Sequence, residues 1–351
     1  MRARDLGIEI GRGTPGPHNA ITDVPGVRVG HATIISGEDI RTGVTVVLPH
    51  PEDEPLHRPV FAGSHILNGN GELTGLEWVR DSGTLTTPVA MTNTFSVGTV
   101  RDAIARLIAT SDADAPPWLL PVVGETYDGI LNAITKPVIG PEHVAQAFEA
   151  AGGGDVVEGC VGAGTGTICH GFKGGIGTAS RLADAGETYT VGVLVQTNHG
   201  RRERLTVNGV QVGAAPPLAE VPAPGPDTGA GSIIVAIATD APLLPHQCAG
   251  LARRASLGIA RVGGTGESSS GDLLVAFATG NRLPTEKEQA QGPPEVPIRT
   301  LAGLLLDPLY DAVIDATQEA ILNSLTAAET MRGRDGAVAY AIDHAQLRAL
   351  L

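Results

Sequence analysis

The chain has 351 residues, 42% of them hydrophobic and 18% charged, enough apolar side-chain mass for a substantial globular core. Its formal charge of −14, with no basic run beyond Arg201, Arg202 and Arg204, removes the electrostatic footprint that a nucleic-acid partner requires. No stretch reaches the roughly eighteen uninterrupted apolar residues of a membrane span, and the N-terminal MRARDLGIEIGRG is followed by no apolar run, so a soluble, cytoplasmic protein is expected.

Apolar segments and glycine turns alternate through the first half: ITDVPGVRVGHATI (21–34), GVTVVLPH (43–50) and TPVAMTNTFSVGTVRDAIARLIAT (87–110). The last begins as a strand and turns helical at Val100, Ile104, Leu107 and Ile108. PWLLPVVGETYDG (117–129) reads as a short strand ending in a polar turn, and HVAQAFEAAGGG (143–154) as a helix stopped by glycines. The glycine-rich GCVGAGTGTICHGFKGGIGTAS (159–180) fits neither a Walker loop nor a dinucleotide fingerprint, and close backbone packing or a backbone-lined cleft is the better reading. YTVGVLVQTNHG (189–200) is a buried strand with Asn198 at its polar tip.

Residues 214–231 hold five prolines and no hydrophobic periodicity, and read as a linker or a surface loop. The linker ends at Ser232, where the strand SIIVAIATDAP begins. A helix follows with Leu244, Cys248, Leu251 and Ala255 on one face, then the turn VGGTGESSSGD (262–272) and a second strand, LLVAFATG. A last helix is predicted from Asp307 as cap and Pro308 in the first turn, with Tyr310, Val313, Ile314, Ile321 and Leu325 as its apolar stripe. Cys160, Cys169 and Cys248 are odd in number and lack CxxC spacing, and the ten histidines form no HxH or HxxxH pair, so neither disulfides nor a metal site is indicated.

IIVAIAT (233–239) and LLVAFAT (273–279) match at an interval of 40 residues. As neighbours in a parallel βαβ unit they would bring Ser270 and Asp272 beside Ser232; equally, they are two ordinary buried strands drawn from one small alphabet. No histidine lies in the turns around Ser232 and no G-x-S-x-G elbow is present, so a histidine triad is poorly supported. The alternative is an N-terminal nucleophile: cleavage before Ser232 frees an α-amine of pKa about 8 that takes the hydroxyl's own proton. Gly231 permits a strained scissile bond, and the proline-rich segment can move away afterwards.

The set LNGNGELTG (67–75), TNTFSVG (92–98), ETYDG (125–129), GTGTICHGFKGGIGTASR (164–181), VGVLVQTN (191–198), GSIIVAIATDAPLLPHQ (231–247) and SGD (270–272) resembles the self-processing L-aminopeptidase/D-esterase family of DmpA type, which includes β-peptidyl aminopeptidases. The resemblance spans nearly the whole chain. It implies an α+β, four-layer αββα sandwich of the DmpA/ornithine acetyltransferase type, with no cofactor and no metal. It also implies one domain, residues 1–351, self-cleaved between Gly231 and Ser232 into subunits 1–231 and 232–351, and a homotetramer of these heterodimers. Its nucleophile falls on Ser232, its supporting serine on Ser270, and its acidic residue on Asp272, where some members carry glutamate. Tyr127 and Asn198 match the oxyanion donors, and Glu125 the carboxylate for the substrate's ammonium. From the residues alone, Tyr127 is a turn aromatic, Glu125 a solvated carboxylate and Asn198 a strand-end cap; the resemblance assigns them to the site. Small peptides, amides or esters with a free amine are the implied substrates. The same architecture serves ω-amide hydrolases and acyltransferases, which use an N-terminal threonine, and an uncleaved ligand-binding homologue is the non-enzymatic alternative.

Overall fold

Alternating short apolar runs with glycine turns produces two β-sheets in the computed structural model, which describes residues 1–225 and 231–351. The first sheet has the order β1 (Arg28–Ser36), β2 (Ile40–Leu48), β5 (Val89–Asn93), β6 (Val122–Thr126). The second has the order β4 (Thr84–Leu85), β3 (Val60–Gly69), β12 (Ser270–Ala278), β11 (Gly231–Thr239), β10 (Thr188–Asn198), β9 (Ile176–Asp184). A small hairpin, β7 (Ile168–Cys169) and β8 (Phe172–Lys173), stands apart from both. The helices are α1 (Leu76–Ser82), α2 (Val97–Ser111), α3 (Pro141–Glu149), α4 (Pro245–Arg261), α5 (Glu286–Gln291), α6 (Asp307–Thr326) and α7 (His344–Ala349).

Strand alternation sorts the side chains into three apolar layers. In β11, Ile233, Val235 and Ile237 face α4 and α6, whereas Ile234, Ala236 and Ala238 pack against Val47, Val89 and Met91 of the other sheet. The outer face of the four-stranded sheet, through Val44, Val46, Ala90 and Val123, is covered by Val100, Ile104 and Ile108 of α2 and Val144 of α3. The architecture is the expected four-layer αββα sandwich. Both faces of β11 are covered, which is why its apolar run is continuous instead of alternating.

Strands β11 and β12 are parallel neighbours joined through α4, as the repeat suggested, but the pairing interval is 39: Ser232 stands opposite Gly271 and Gly231 opposite Ser270. Two details of α6 differ from expectation. Asp307 lies inside the helix and Leu306 occupies the cap position without a side-chain bond. The apolar stripe is also too narrow a description, because residues 312–326 are buried on every side. The N-terminal segment accounts for this. Ala3 donates its N–H to Asn323, Arg4 pairs with Glu319 at 2.9 Å, and Arg12 donates its N–H to Asp315. Glu319 also takes the buried Arg181 guanidinium at 2.5 Å and the Asn19 amide, so the buried carboxylate is fully partnered.

The glycine-rich segment owes its composition to backbone contact. A Cβ on Gly175 would lie 2.2 Å from the Gly159 carbonyl oxygen, and one on Gly177 2.0 Å from that of Ala320 in α6. The expected linker is a packed loop as far as it is described: Leu218 is fully buried, and the Arg202 guanidinium holds the carbonyls of Leu218 and Val221. Its final stretch, residues 226–230, lies outside the described residues. No helix among the described residues is long and apolar enough to cross a membrane.

Candidate active site

The site residues predicted from the sequence meet at one end of the sandwich, where both sheets contribute. Antiparallel pairing of β10 with β11 sets Asn198 directly opposite Ser232, and parallel pairing with β12 sets Ser270 beside Gly231. Ser232 is buried, and its hydroxyl donates to the carbonyl oxygen of Gly231 at 2.6 Å. The hydroxyl therefore lies against the peptide group that precedes it. A Cβ on Gly231 would crowd the Asn198 carbonyl oxygen and His199 Cα at 3.2 Å, so close strand approach favours glycine there.

Ser270 donates its hydroxyl proton to Asp272 Oδ1 at 2.6 Å. The shorter aspartate thus still reaches its serine. Burial pushes the Asp272 carboxyl up to about 6, the Ser270 bond opposing and the nearby Glu267 charge adding to the rise. The turn leading into β12 is held by two asparagines. The Asn68 amide donates to the carbonyls of Glu267 and Ser270, and the Asn70 amide to that of Ser269 at 2.7 Å. Asn70 is therefore a turn-holding residue, and so is Asn68; sequence reasoning missed both.

Asn198 is oriented from one side. The Ile168 N–H donates to Asn198 Oδ1 at 2.8 Å, which assigns the oxygen and leaves the amide NH2 for the cavity that Asn198 lines. That cavity, of about 310 Å³, is also lined by Tyr127, Gly231, His199 and the loop residues Val221, Ala223, Pro224 and Gly225. Tyr127 is contributed from the other sheet, just beyond β6, and its ring fills the space that a Cβ on Gly129 would need.

Glu125, in β6, is almost fully buried instead of solvated. Its carboxylate accepts the Thr94 hydroxyl at 2.5 Å and the Glu72 N–H at 3.1 Å. Burial raises its pKa, and these two bonds oppose the rise. Its Oε1 would lie 3.0 Å from a Cβ on Gly71, which itself abuts Gly271, the cross-strand partner of Ser232. Gly71 thus packs closely between the buried carboxylate and the strand that pairs with Ser232.

Sequence reasoning missed Thr94 and Asp128, although both lie inside motifs it quoted. Asp128 follows Tyr127, is buried, and accepts from the Asn132 amide at 3.0 Å; burial brings its carboxyl to about 6. Asn93 donates to Thr42 and accepts from the Phe95 N–H, so it shapes the turn ahead of α2 instead of facing a ligand. Burial also lifts the nearby Cys169 thiol to about 12, which removes it as a nucleophile near neutral pH.

A buried hydroxyl on a strand start, an amide donor opposite it, a hydroxyl–carboxylate pair beside it and a second, isolated carboxylate can together perform acyl transfer on an amine-bearing substrate. Comparison with known proteins agrees with this chemistry. The chain is 45% identical over 371 aligned positions to the β-peptidyl aminopeptidase BapA of Sphingosinicella microcystinivorans, covering all of this chain and 91% of that one. Its fold superposes on a Burkholderia sp. β-aminopeptidase with TM-score 0.94 at 51% identity, and on the L-aminopeptidase D-Ala-esterase/amidase of Ochrobactrum anthropi, a variant of the Ntn hydrolase fold, with TM-score 0.91 at 43% identity. Each comparison covers all of this chain and 98% of the other. The profile of peptidase family S58 matches residues 19–339, and the chain belongs to that family of aminopeptidases.

Proposed function

We propose that the protein cleaves its own Gly231–Ser232 bond and then uses the exposed Ser232 to remove N-terminal residues from short peptides, amides or esters, β-aminoacyl substrates among them. The observation that carries this reading is the Ser232 hydroxyl, 2.6 Å from the carbonyl oxygen of the bond to be cut and facing Asn198 across the strands.

In the continuous chain the Ser232 oxygen attacks the Gly231 carbonyl carbon, the amide nitrogen leaves and is protonated, and water hydrolyses the resulting ester. The products are a Gly231 carboxylate and a Ser232 α-amine. That amine then accepts the proton of its own hydroxyl as the oxygen attacks a substrate carbonyl. The negative oxygen is met by the Asn198 amide and the Tyr127 hydroxyl, while Glu125 holds the substrate's ammonium. The amine returns its proton to the leaving group, and water releases the acyl chain from Ser232. Cleavage would not separate the fragments, because β11 and β12 are hydrogen-bonded on their outer edges to β10 and β3 of the larger piece.

Free-amine aminoacyl p-nitroanilides test the reading. The protein is expected to release p-nitroaniline, and Asn198→Ala to lower kcat about 10²–10³-fold with little change in KM, since the amide acts on charge that develops only in the transition state. Undiminished turnover in that variant would remove Asn198 from the oxyanion site.

Self-cleavage should depend on pH through Asp272. Below about pH 6 its carboxyl is protonated in the continuous chain and holds the Ser270 hydroxyl only as a weaker, neutral acceptor, so the cleavage rate falls as pH drops through that value. Pulse-chase after cell-free translation between pH 5 and 8 measures this, and Asp272→Asn should be slow across the whole range. A pH-independent rate would dissociate Asp272 from the processing step.

A further inference from the structure

Spacing along the chain points to no metal site, yet the fold closes one cluster of metal-ligating side chains beside the cavity. The β7–β8 hairpin turns at His170 and Gly171, both with positive φ (48° and 70°). A non-glycine residue there is uncommon. The His170 ring sits in a slot that a Cβ on Gly200 would fill at 2.3–2.6 Å. Its Nδ1 lies 2.9 Å from the Arg201 carbonyl oxygen, to which it donates, so Nε2 carries the lone pair. That Nε2 is buried with no hydrogen-bond partner among the described residues, and so is Nε2 of His199. His199 Nδ1 lies 4.0 Å from Cys169 Sγ, and the two imidazoles meet edge to face at 5.3 Å. One ligand atom from each of Cys169, His170 and His199 lies within 4.8 Å of the others, and all three residues are buried.

We propose that Cys169, His170 and His199 form a three-ligand site for a thiophilic divalent cation such as Zn²⁺, its fourth position open toward the cavity that His199 lines. Zinc bonds of about 2.3 Å to sulfur and 2.0–2.1 Å to nitrogen place tetrahedral ligand atoms about 3.3–3.6 Å apart. Closing the cluster to that size takes movements of less than about 1.5 Å, within the reach of side-chain torsions. The Nδ1 contact to a backbone carbonyl is the outer bond that orients a metal-binding histidine. Binding releases the Cys169 thiol proton to solvent, and the cation supplies the buried thiolate with counter-charge beyond that of the nearby Lys173 ammonium. Cation, thiolate and two neutral imidazoles sum to one positive charge, on a cavity wall that carries Arg201 beside Glu203 and Glu267, with Glu267 itself paired to Arg204 at 3.0 Å. Arg202 lines the same wall, but its guanidinium is taken up by the carbonyls of Gly171, Leu218 and Val221. The site adjoins the chemistry directly: His199 follows Asn198, and Cys169 follows Ile168, whose N–H holds the Asn198 amide.

The test is titration of the full-length, chelator-treated protein with Co²⁺ and then Zn²⁺. We expect one Co²⁺ per chain, a thiolate-to-cobalt charge-transfer band in the near ultraviolet, and displacement of that band by Zn²⁺. Cys169→Ala should abolish the band. His170→Asn, chosen because asparagine tolerates the left-handed backbone, should weaken zinc binding more than about tenfold with an unchanged circular dichroism spectrum. If Cys169→Ala does not fold, His170→Asn decides alone. No stoichiometric uptake by the wild-type chain, or a band and affinity unaltered in both variants, overturns the proposal.

Discussion

Ser232→Ala is expected to remain one chain of 351 residues and to lose more than about 10⁴-fold in kcat/KM, whereas the natural sequence is expected to separate into fragments of 231 and 120 residues. Both losses come from one atom. The Ser232 hydroxyl is the group placed against the Gly231 carbonyl, and before cleavage the Ser232 nitrogen is an amide that can act neither as base nor as a charged terminus. The variant should fold normally, because alanine keeps the backbone pairing of position 232 with Asn198 and Gly271 and removes a single buried oxygen. Intact mass and N-terminal sequencing of the smaller fragment read the first effect; p-nitroanilide hydrolysis reads the second. Wild-type protein that still has the mass of 351 residues after long incubation would sink the self-processing reading.

Glu125→Gln is expected to raise KM by about 30- to 1,000-fold for substrates with a free amine and to leave N-blocked esters nearly unchanged. The carboxylate is buried, so its charge is costly unless a cation arrives to compensate it. Glutamine has the same shape and can keep one acceptor for the Glu72 N–H or the Thr94 hydroxyl, but it leaves a buried ammonium unpaired. Steady-state kinetics on matched free and N-acetylated substrates separate the cases. Equal effects on both would remove Glu125 from the ammonium site and assign it to the support of β6.

Much of this layout is legible along the chain. Continuous apolar runs at 191–195 and 233–238 announce strands covered on both faces, and the structure places them side by side in the larger sheet. The strand-to-helix change within 87–110 is a local backbone effect and forms as expected, whereas the helix read as running to the glycines at 152–154 already ends at Glu149, with Ala150 at its cap. The turn residues, by contrast, do not disclose their burial. Glu125, read from its motif as a solvated carboxylate, is buried by the facing sheet, which no local pattern encodes. Asp307 resembles a cap because only the immediate sequence is visible, and α6 resembles an amphipathic helix because its outer cover comes from residues 3–12, some three hundred positions away.

By itself, the sequence determined the order of the elements, the serine at the junction of loop and strand, and the motifs that mark the family, since each depends on neighbours within a few residues. Only the tertiary structure decided that strand pairing sets Asn198 opposite Ser232 and Ser270 beside Gly231, that Gly71 packs between Gly271 and Glu125, and that Cys169, His170 and His199 converge. These arrangements follow from register and sheet-to-sheet packing, and register is a property of two strands together: a shift of one residue would turn each of these side chains to the opposite face.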